Sequence, residues 1–426
     1  MKIIESSKIK EKAYVEKLEN GLTVMIIPKA NLNKKYIIWG THFGSIDNRF
    51  IMPKTGEEVL IPDGVAHFLE HKMFEQPDGT NSLDTLMALG LDANAYTTND
   101  HTAYLFECTN NFYEGLDELM DYVQHPNFTD ENVEKEKGII GQEIRMYDDD
   151  PSWQLYMNAM DCMYKENPIK IDIAGSVESI SEITPDVLYK CYNTFYNPSN
   201  MVLVVCGDFV PEKLLQEIKN RLLPKEAQGE IKRIYPQKEE KINFPYKEAE
   251  MEVSMPLFAI GFKDSEGIEN REEIVKKHIA IEILLNILIG KSSELYKELY
   301  ESGELLSQPD LDYEFSDQYA HVLISGQSKN PETIKSKIEE KLEDYRSNGL
   351  NQEDFDRIKK KVYGDYVVEY NSVSDIARMF LADKMKQINS FDYIEEYDTV
   401  TKEYTEQVLK NVFKTDNMIM SVVKGK

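Results

Sequence analysis

A charged break near the middle of the chain divides the sequence into two stretches of similar pattern. Residues 224–248 contain three prolines and many charges, without the apolar periodicity of a helix or a strand. Each flanking stretch opens with a strand pattern, continues through helical patterns and closes on a similar apolar strand, NMVLVV at 200–205 and NMIMSVV at 417–423. The pattern predicts two copies of one α+β unit.

The length of the chain favours the same division, because 426 residues exceed what a single hydrophobic core usually organises. We expect an α+β protein of two similar domains, each a mainly antiparallel sheet packed with helices. The first domain is predicted at 1–225, a linker at 226–247 and the second domain at 248–426.

Local patterns predict the elements inside each domain. Strands are predicted at 22–29, 36–45, 92–109 (two strands and a turn), 200–209, 256–263, 319–328 and 417–424, and helices at 64–77, 80–90, 112–124, 129–150, 275–290, 331–347 and 352–370.

The charge and the cysteines exclude some classes of function. A formal net charge of -27 argues against nucleic acid and against an anionic membrane surface as partners. No apolar run is long enough to span a membrane, and the beginning of the sequence lacks the pattern of a signal peptide. The four cysteines form no CxxC pair, which is typical of a reducing compartment. We therefore expect a cytoplasmic protein.

The stretch GVAHFLEHKMFE, residues 64–75, holds the most informative spacing in the sequence. On a helix, His67, Glu70 and His71 fall within an arc of about 100°, so their side chains point the same way. Two imidazoles at positions i and i+4 can bind one Zn²⁺. Glu70 can then take a proton from water that the metal activates.

A catalytic zinc needs a third protein ligand, and the helix predicted at 129–150 offers one. Glu136 and Glu143 are seven residues apart and therefore on one stripe of that helix. They flank the segment 138–141, whose small and apolar residues suit close helix packing. We predict Glu143 as the third ligand and Glu136 as a residue that orients a histidine or Glu70.

Each of these features also has a structural explanation. A histidine pair at i and i+4 is often incidental, and two glutamates on one stripe often form only a solvated helix face. The order HxxEH is, however, a known catalytic signature, and it gives the two glutamates a partner.

The motif order resembles that of the pitrilysin/insulinase family of zinc metallopeptidases, the inverzincins, and in length the short bacterial processing-peptidase-like members. The resemblance extends to NAYTTNDHTAYLF, VEKEKGIIGQEI and FYNPSNMVLVVCGDF. It implies His67, His71 and Glu143 as zinc ligands, Glu70 as catalytic base and Glu136 as a supporting glutamate. It also implies that Asn94, Ala95 and Tyr96 pair with the backbone of a peptide substrate.

The resemblance further implies a partner, either a homologous subunit in a heterodimer or a second copy in a homodimer, with the pair enclosing a clamshell chamber. The chain departs from the family pattern at LYESGELLSQ, residues 299–308. Tyr300 and Leu306 lie where many members carry an Arg and a Tyr that hold the substrate. We therefore hypothesise that this chain is the zinc-bearing half of a pair.

Three functions compete at this point. The first is an endopeptidase that hydrolyses short or unfolded peptides. The second is a dedicated processing or maturation factor that works with a homologous partner subunit. The third is a non-catalytic scaffold, which is disfavoured because all five positions of the zinc site are intact.

Overall fold

A computed structural model describes residues 1–266 and 273–426. Its strands are β1 (Lys2–Ser6), β2 (Glu11–Lys17), β3 (Thr23–Pro28), β4 (Lys35–Thr41), β5 (Arg49–Ile51), β6 (Glu58–Leu60), β7 (Asp92–Thr97), β8 (Thr102–Cys108), β9 (Met201–Gly207), β10 (Lys232–Arg233), β11 (Tyr246–Met251), β12 (Leu257–Lys263), β13 (Asp310–Phe315), β14 (Ala320–Gln327) and β15 (Met418–Gly425). Its α-helices are α1 (Val65–Lys72), α2 (Ser82–Ala88), α3 (Phe112–Gln124), α4 (Asp130–Asp148), α5 (Pro151–Met163), α6 (Val177–Ser181), α7 (Pro185–Phe195), α8 (Pro211–Arg221), α9 (Ile274–Ile289), α10 (Glu294–Glu301), α11 (Pro331–Asn348), α12 (Gln352–Glu369), α13 (Val373–Met385), α14 (Asp392–Glu395) and α15 (Lys402–Val412).

Contacts between Cα atoms group the chain into two compact units. Unit 1 comprises Met1–Ile144, Ile171–Tyr235 and Val368–Phe391, and unit 2 comprises Arg145–Lys170, Pro236–Val367 and Asp392–Lys426. Each unit therefore takes one segment from the other half of the sequence. The domain boundaries predicted at residues 225 and 248 follow the order of the sequence patterns along the chain. That each half of the sequence folds as a domain stays a prediction.

The main sheet of unit 1 has seven strands in the order β1-β2-β3-β9-β4-β8-β7. Strands β3 and β9 are parallel, whereas β9, β4, β8 and β7 are successively antiparallel. Strand β7 lies at one edge of this sheet. A second, small sheet has the order β10-β5-β6, so residues 232–233 of the predicted linker pair with β5.

The sheet of unit 2 repeats the central pattern of unit 1. Its order is β11-β15-β12-β14-β13, with β11 and β15 parallel and the remaining neighbours antiparallel. The five strands correspond one by one to β3-β9-β4-β8-β7. The predicted α+β fold of two similar, mainly antiparallel units is thus confirmed.

The central strands of unit 1 are covered on both faces. Every residue of β9 is buried, and its alternate side chains point to opposite faces. One face carries Leu203 and Val205 into the main core with α1 and α3 residues. The other face packs against α13. In unit 2, α5 packs on β12 and β15 in the same way.

Most predicted elements coincide with the observed ones within a few residues. Two predictions were too long. The strand predicted at 36–45 ends at Thr41, because Phe43 folds back to bond the carbonyl of Thr41. The helix predicted at 64–77 ends at Lys72, and Glu75 instead forms a β-bridge with Asn81.

Candidate metal centre

Helix α1 is fixed at its start by a glycine that no other residue can replace without strain. Gly64 has φ of 91°, and a Cβ added there would lie 2.4 Å from the carbonyl oxygen of Ala174. The helix then buries Phe68 and Leu69 completely in the core of unit 1. Anchoring on this face leaves the His67 and His71 side chains, 12% and 25% exposed, on the neighbouring face.

Helix α4 places a carboxylate against this histidine pair. Glu143 Oε1 lies 3.7 Å from His67 Nε2, and Glu143 Oε2 lies 3.4 Å from His71 Nε2. One ligand atom from each of the three residues lies within 4.8 Å of the other two, and among the described residues no other group of His, Cys, Asp and Glu meets this criterion. The structure therefore brings the three predicted ligands together.

The spacing of these donors suits a tetrahedral zinc. Ligands bound at about 2.0–2.2 Å around a tetrahedral ion are roughly 3.3–3.6 Å apart, close to the 3.4 and 3.7 Å between Glu143 and the two histidines. Burial and the neighbouring His71 lower the pKa of His67 to about 3, which keeps its imidazole neutral and able to bind a metal. Two imidazoles and one carboxylate leave a fourth position open, as catalytic zinc sites do.

Glu136 supports the second histidine from behind. Its Oε1 lies 3.1 Å from His71 Nδ1 and can accept a hydrogen bond from it, an arrangement that directs Nε2 towards Glu143. Burial lowers the pKa of His71, but the hydrogen bond to Glu136 and the charges of Glu70, Glu136 and Glu143 outweigh it and raise the pKa overall. Lys72, fully buried, lies 3.5 Å from Glu136 Oε2 and also pairs with Glu75. Burial raises the pKa of Glu136, but the bond from His71 and the charge of Lys72 outweigh it and lower the pKa overall.

Glu70 is held by the edge strand of the sheet. Its Oε2 accepts a hydrogen bond of 2.6 Å from Thr97 Oγ1, at the end of β7. The side chain is 9% exposed, and burial raises the pKa of its carboxyl while the Thr97 hydroxyl opposes this rise. A carboxyl with a raised pKa, whose Oε1 has no hydrogen-bond partner among the described residues, is suited to accepting and returning a proton.

The predicted substrate-binding residues lie on the edge strand β7, which within residues 1–266 and 273–426 has a hydrogen-bonding neighbour, β8, on one side only. The amide of Ala95 donates to Asn94 Oδ1 at 2.9 Å. Ala95 and Thr97 share the face towards Glu70, whereas Asn94 and Tyr96 share the opposite face. The free edge is the kind of backbone to which an extended peptide can pair.

Two contributors to this centre were missed by the analysis of the sequence. Lys72 follows the HxxEH motif directly, but its burial could not be inferred from a polar residue type. Thr97 lies next to the predicted substrate segment.

In unit 2, Tyr300 and Leu306 are 54% and 57% exposed.

Comparison with known proteins places the chain in a family. Residues 61–176 match the family model described as insulinase (peptidase family M16), and residues 182–362 match the model described as peptidase M16 inactive domain. The chain is 39% identical to an uncharacterised zinc protease, YmfH, of Bacillus subtilis strain 168, over 100% of both sequences. The chain therefore belongs to the insulinase family, peptidase family M16.

Solved structures agree with this assignment. The crystal structure of an M16-like peptidase from Alicyclobacillus acidocaldarius superimposes with a TM-score of 0.93 at 33% identity, over 99% of this chain and 100% of that one. The periplasmic protease PqqL of Escherichia coli shares the fold, with a TM-score of 0.74 at 19% identity. The match covers 97% of this chain but 47% of PqqL, so PqqL is about twice as long.

Within the described residues, no helix combines the length and the apolar character needed to cross a bilayer.

Proposed function

We propose that the chain is a zinc-dependent endopeptidase that hydrolyses short or unfolded peptides. One observation carries the proposal: the side chains of His67, His71 and Glu143 converge. Glu70 lies on the same helix as the two histidines, one residue before His71. The relatives named zinc proteases support the same metal and reaction. A scaffold would not need this set of buried, oriented side chains.

In the proposed reaction, His67, His71 and Glu143 would hold the zinc ion. A bound zinc ion supplies Lewis acidity for the peptide carbonyl and for the attacking water. Glu70 takes the proton of that water at Oε1, since Oε2 is engaged by Thr97, and then returns it to the leaving amine. Glu136 keeps the His71 ring oriented, and residues 94–96 align the peptide by strand pairing.

We further propose that the chain acts in the cytoplasm with a second M16 unit, either a homologous subunit or another copy. The double length of PqqL, which shares the fold, supports an arrangement of two such units. The replacement of the family's Arg and Tyr by Tyr300 and Leu306 favours a partner that supplies them. A clamshell chamber formed by the pair would admit peptides and exclude folded proteins.

Zinc content and peptide cleavage test the proposal together. Wild type, Glu70→Gln and the surface variant Glu134→Gln are purified, their zinc is quantified, and each is incubated with unstructured peptides read by mass spectrometry. We expect about one zinc in all three, cleavage by wild type and Glu134→Gln, and none by Glu70→Gln. A chelator should stop cleavage and added zinc should restore it.

The outcomes separate the alternatives. Absence of zinc from wild type would overturn the metal site and favour a scaffold. Zinc without cleavage of any peptide would reject autonomous peptidase activity and require addition of a homologous subunit. Equal cleavage by Glu70→Gln would remove Glu70 from its proposed role.

A further inference from the structure

The face of β7 that points away from Glu70 carries its own set of polar side chains. Tyr96 points to this face, because its neighbour Thr97 points to Glu70. Asn94 and Asp92 are exposed on the same face. A peptide paired with the edge of β7 would place every second side chain here, beside Tyr96 and its surroundings.

Arg378 reaches this face from helix α13, in the same unit. Its Nε donates a hydrogen bond of 2.8 Å to the Tyr36 hydroxyl. Its guanidinium carbon lies 5.8 Å from the ring centre of Tyr36 and 5.7 Å from that of Tyr96. Two aromatic rings and one hydrogen bond therefore fix the orientation of the guanidinium group on this face of the sheet, between Tyr36 of β4 and Tyr96 of β7.

Arg378 differs from the other three arginines of unit 1. Arg49, Arg221 and Arg233 each form an ion pair with a carboxylate. Within the described residues, Arg378 forms none, and its Nη1 and Nη2 donate no hydrogen bond. An oriented guanidinium with two free terminal nitrogens has the geometry for a bidentate carboxylate.

We propose that Arg378 is a specificity-determining residue that binds a side-chain carboxylate of the peptide substrate, from an Asp or a Glu. This inference rests on the proposed peptidase function and deepens it. Because Tyr96 directly precedes Thr97, the carboxylate bound by Arg378 belongs to a residue within about two positions of the scissile bond.

The other charges on this face and on the whole chain limit the preference for an acidic residue to one position of the substrate. Asp92 lies four residues before Tyr96, about 13 Å along the strand, and its exposed carboxylate would repel an acidic side chain at that end. The whole chain carries a net charge of -27, so long-range attraction favours basic peptides. Arg378 therefore selects an acid at one position within a substrate that is basic or neutral elsewhere.

The test is a position-specific charge swap. Peptides that wild type cleaves are remade with Glu, Gln or Lys at each of three positions on either side of the cleaved bond, and kcat/KM is measured. At one position wild type should prefer Glu over Lys by about 5- to 20-fold. Arg378→Gln should abolish that preference, and Arg378→Glu should reverse it in favour of Lys. The preference should shrink as salt is raised.

Lys384→Gln is the matched control, because it removes the same charge from the same helix at a partly exposed position. It should keep the wild-type preference. An unchanged preference in Arg378→Glu, or an equal change in Lys384→Gln, would overturn the proposal.

Binding separates this inference from the proposed function. The same peptides, fluorescently labelled, are titrated into Glu70→Gln and into Glu70→Gln combined with Arg378→Glu, and anisotropy is read. A switch from Glu to Lys preference without turnover would support the role of Arg378 even if wild type cleaves nothing. Equal affinities for Glu and Lys peptides in both proteins would reject it whatever the cleavage assay gives.

Discussion

The candidate metal centre depends on a chain of polar contacts that starts at His71. His71 Nδ1 lies within hydrogen-bond distance of Glu136, Glu136 forms an ion pair with Lys72, and Lys72 forms another with Glu75. Each member needs the next, since a buried charge without a partner is costly. Glu136 therefore connects the buried Lys72 to His71 and orients this proposed metal ligand.

Replacing Glu136 with Gln tests this orientation. An amide can still accept one hydrogen bond, but it leaves the buried Lys72 with a weaker partner and makes His71 a poorer donor to the metal. We expect zinc affinity to fall by about 10- to 100-fold, measured by competition with a chromophoric chelator. Glu134→Gln, on the exposed face of the same helix, should bind zinc as wild type does, and equal loss in both variants would contradict the role of Glu136.

A partly buried carboxyl in unit 2 makes stability depend on pH. Burial raises the pKa of Glu282 on α9 to about 7, the charge of Asp365 adds to the rise, and a hydrogen bond from the Tyr366 hydroxyl opposes it. His278 Nε2 also lies 3.6 Å from its Oε1. The folded protein thus favours the protonated carboxyl more than the unfolded chain does.

The sign of this effect follows from linkage. Because the folded pKa of Glu282 is about 7 and its ordinary value is 4.5, its contribution is present below pH 4.5 and is lost as pH rises through 7. We expect wild type to lose about 1–2 kcal/mol of unfolding free energy relative to Glu282→Gln between pH 5 and 8, because water around a side chain that is 33% exposed weakens the effect. Urea unfolding at several pH values measures it.

Glu403→Gln, an exposed position in unit 2, serves as the control for the Glu282 experiment. It should follow wild type at every pH. A constant difference between wild type and Glu282→Gln across the same range would mean that Glu282 does not change its ionisation near neutral pH.

Spacing within one helix was the strongest predictor of the site. His67, Glu70 and His71 could be predicted because helical periodicity alone sets their common direction. The expectation that residues 138–141 all lie at a helix contact was wrong for part of the segment. Gly138 has open space around it and Ile139 is 47% exposed, whereas Ile140 and Gly141 are buried. Glu143 lies at the border of the packed stripe.

At the scale of elements, the sequence patterns located the central strands and several helices, but they did not locate others, among them the helices α7, α8, α10 and α15 and the strands β1, β2, β11 and β13. The hairpin of β7 and β8, with its turn at residues 98–100, was predicted from alternation and turn residues. Helices α5 and α13 were not predicted. Each covers a sheet whose strands come mostly from the other half of the sequence. A local sequence pattern cannot predict that a helix packs on a sheet so distant along the chain.

The two main sheets share a pattern of five strands, and a glycine in the middle strand of the five, β4 in unit 1 and β12 in unit 2, marks where these helices pack. A Cβ at Gly40 in β4 would lie 2.8 Å from Leu381 and 3.1 Å from Met385 of α13. A Cβ at Gly261 in β12 would lie 2.1 Å from Met163 of α5. Met163 and Met385 are each the last residue of their helix, so the two contacts correspond.

Gly40→Val tests the contact between β4 and α13. The added side chain has no room unless Leu381 moves, so we expect a loss of about 1–3 kcal/mol in unfolding free energy. Combining it with Leu381→Ala should give less than the sum of the two single losses, because the smaller residue vacates the space. Strict additivity in urea unfolding would show that α13 does not limit the space above Gly40.

At the scale of the whole molecule, the order of residues along the chain and the grouping of contacts differ. Unit 1 takes Val368–Phe391 from the second half of the sequence, and unit 2 takes Arg145–Lys170 from the first half. The helix in each exchanged segment covers one face of the central strands of its sheet. The charged break at 224–248 therefore contains one boundary between the two units, at Tyr235 and Pro236, and the exchanged segments account for the other boundaries.

Separate expression of the two halves tests this exchange. A fragment of residues 1–235 lacks α13, so the α13-facing side of β4 and β9, including Ile38 and Val204, would be exposed to water. We expect this fragment alone to aggregate or to bind a hydrophobic dye, and co-expression with residues 236–426 to yield a soluble complex that contains both fragments. The complex should also recover zinc binding, because α13 completes the unit that holds His67, His71 and Glu143. A soluble, zinc-binding, cooperatively unfolding 1–235 fragment on its own would show that the first half folds as an independent domain, as the order along the sequence alone predicts.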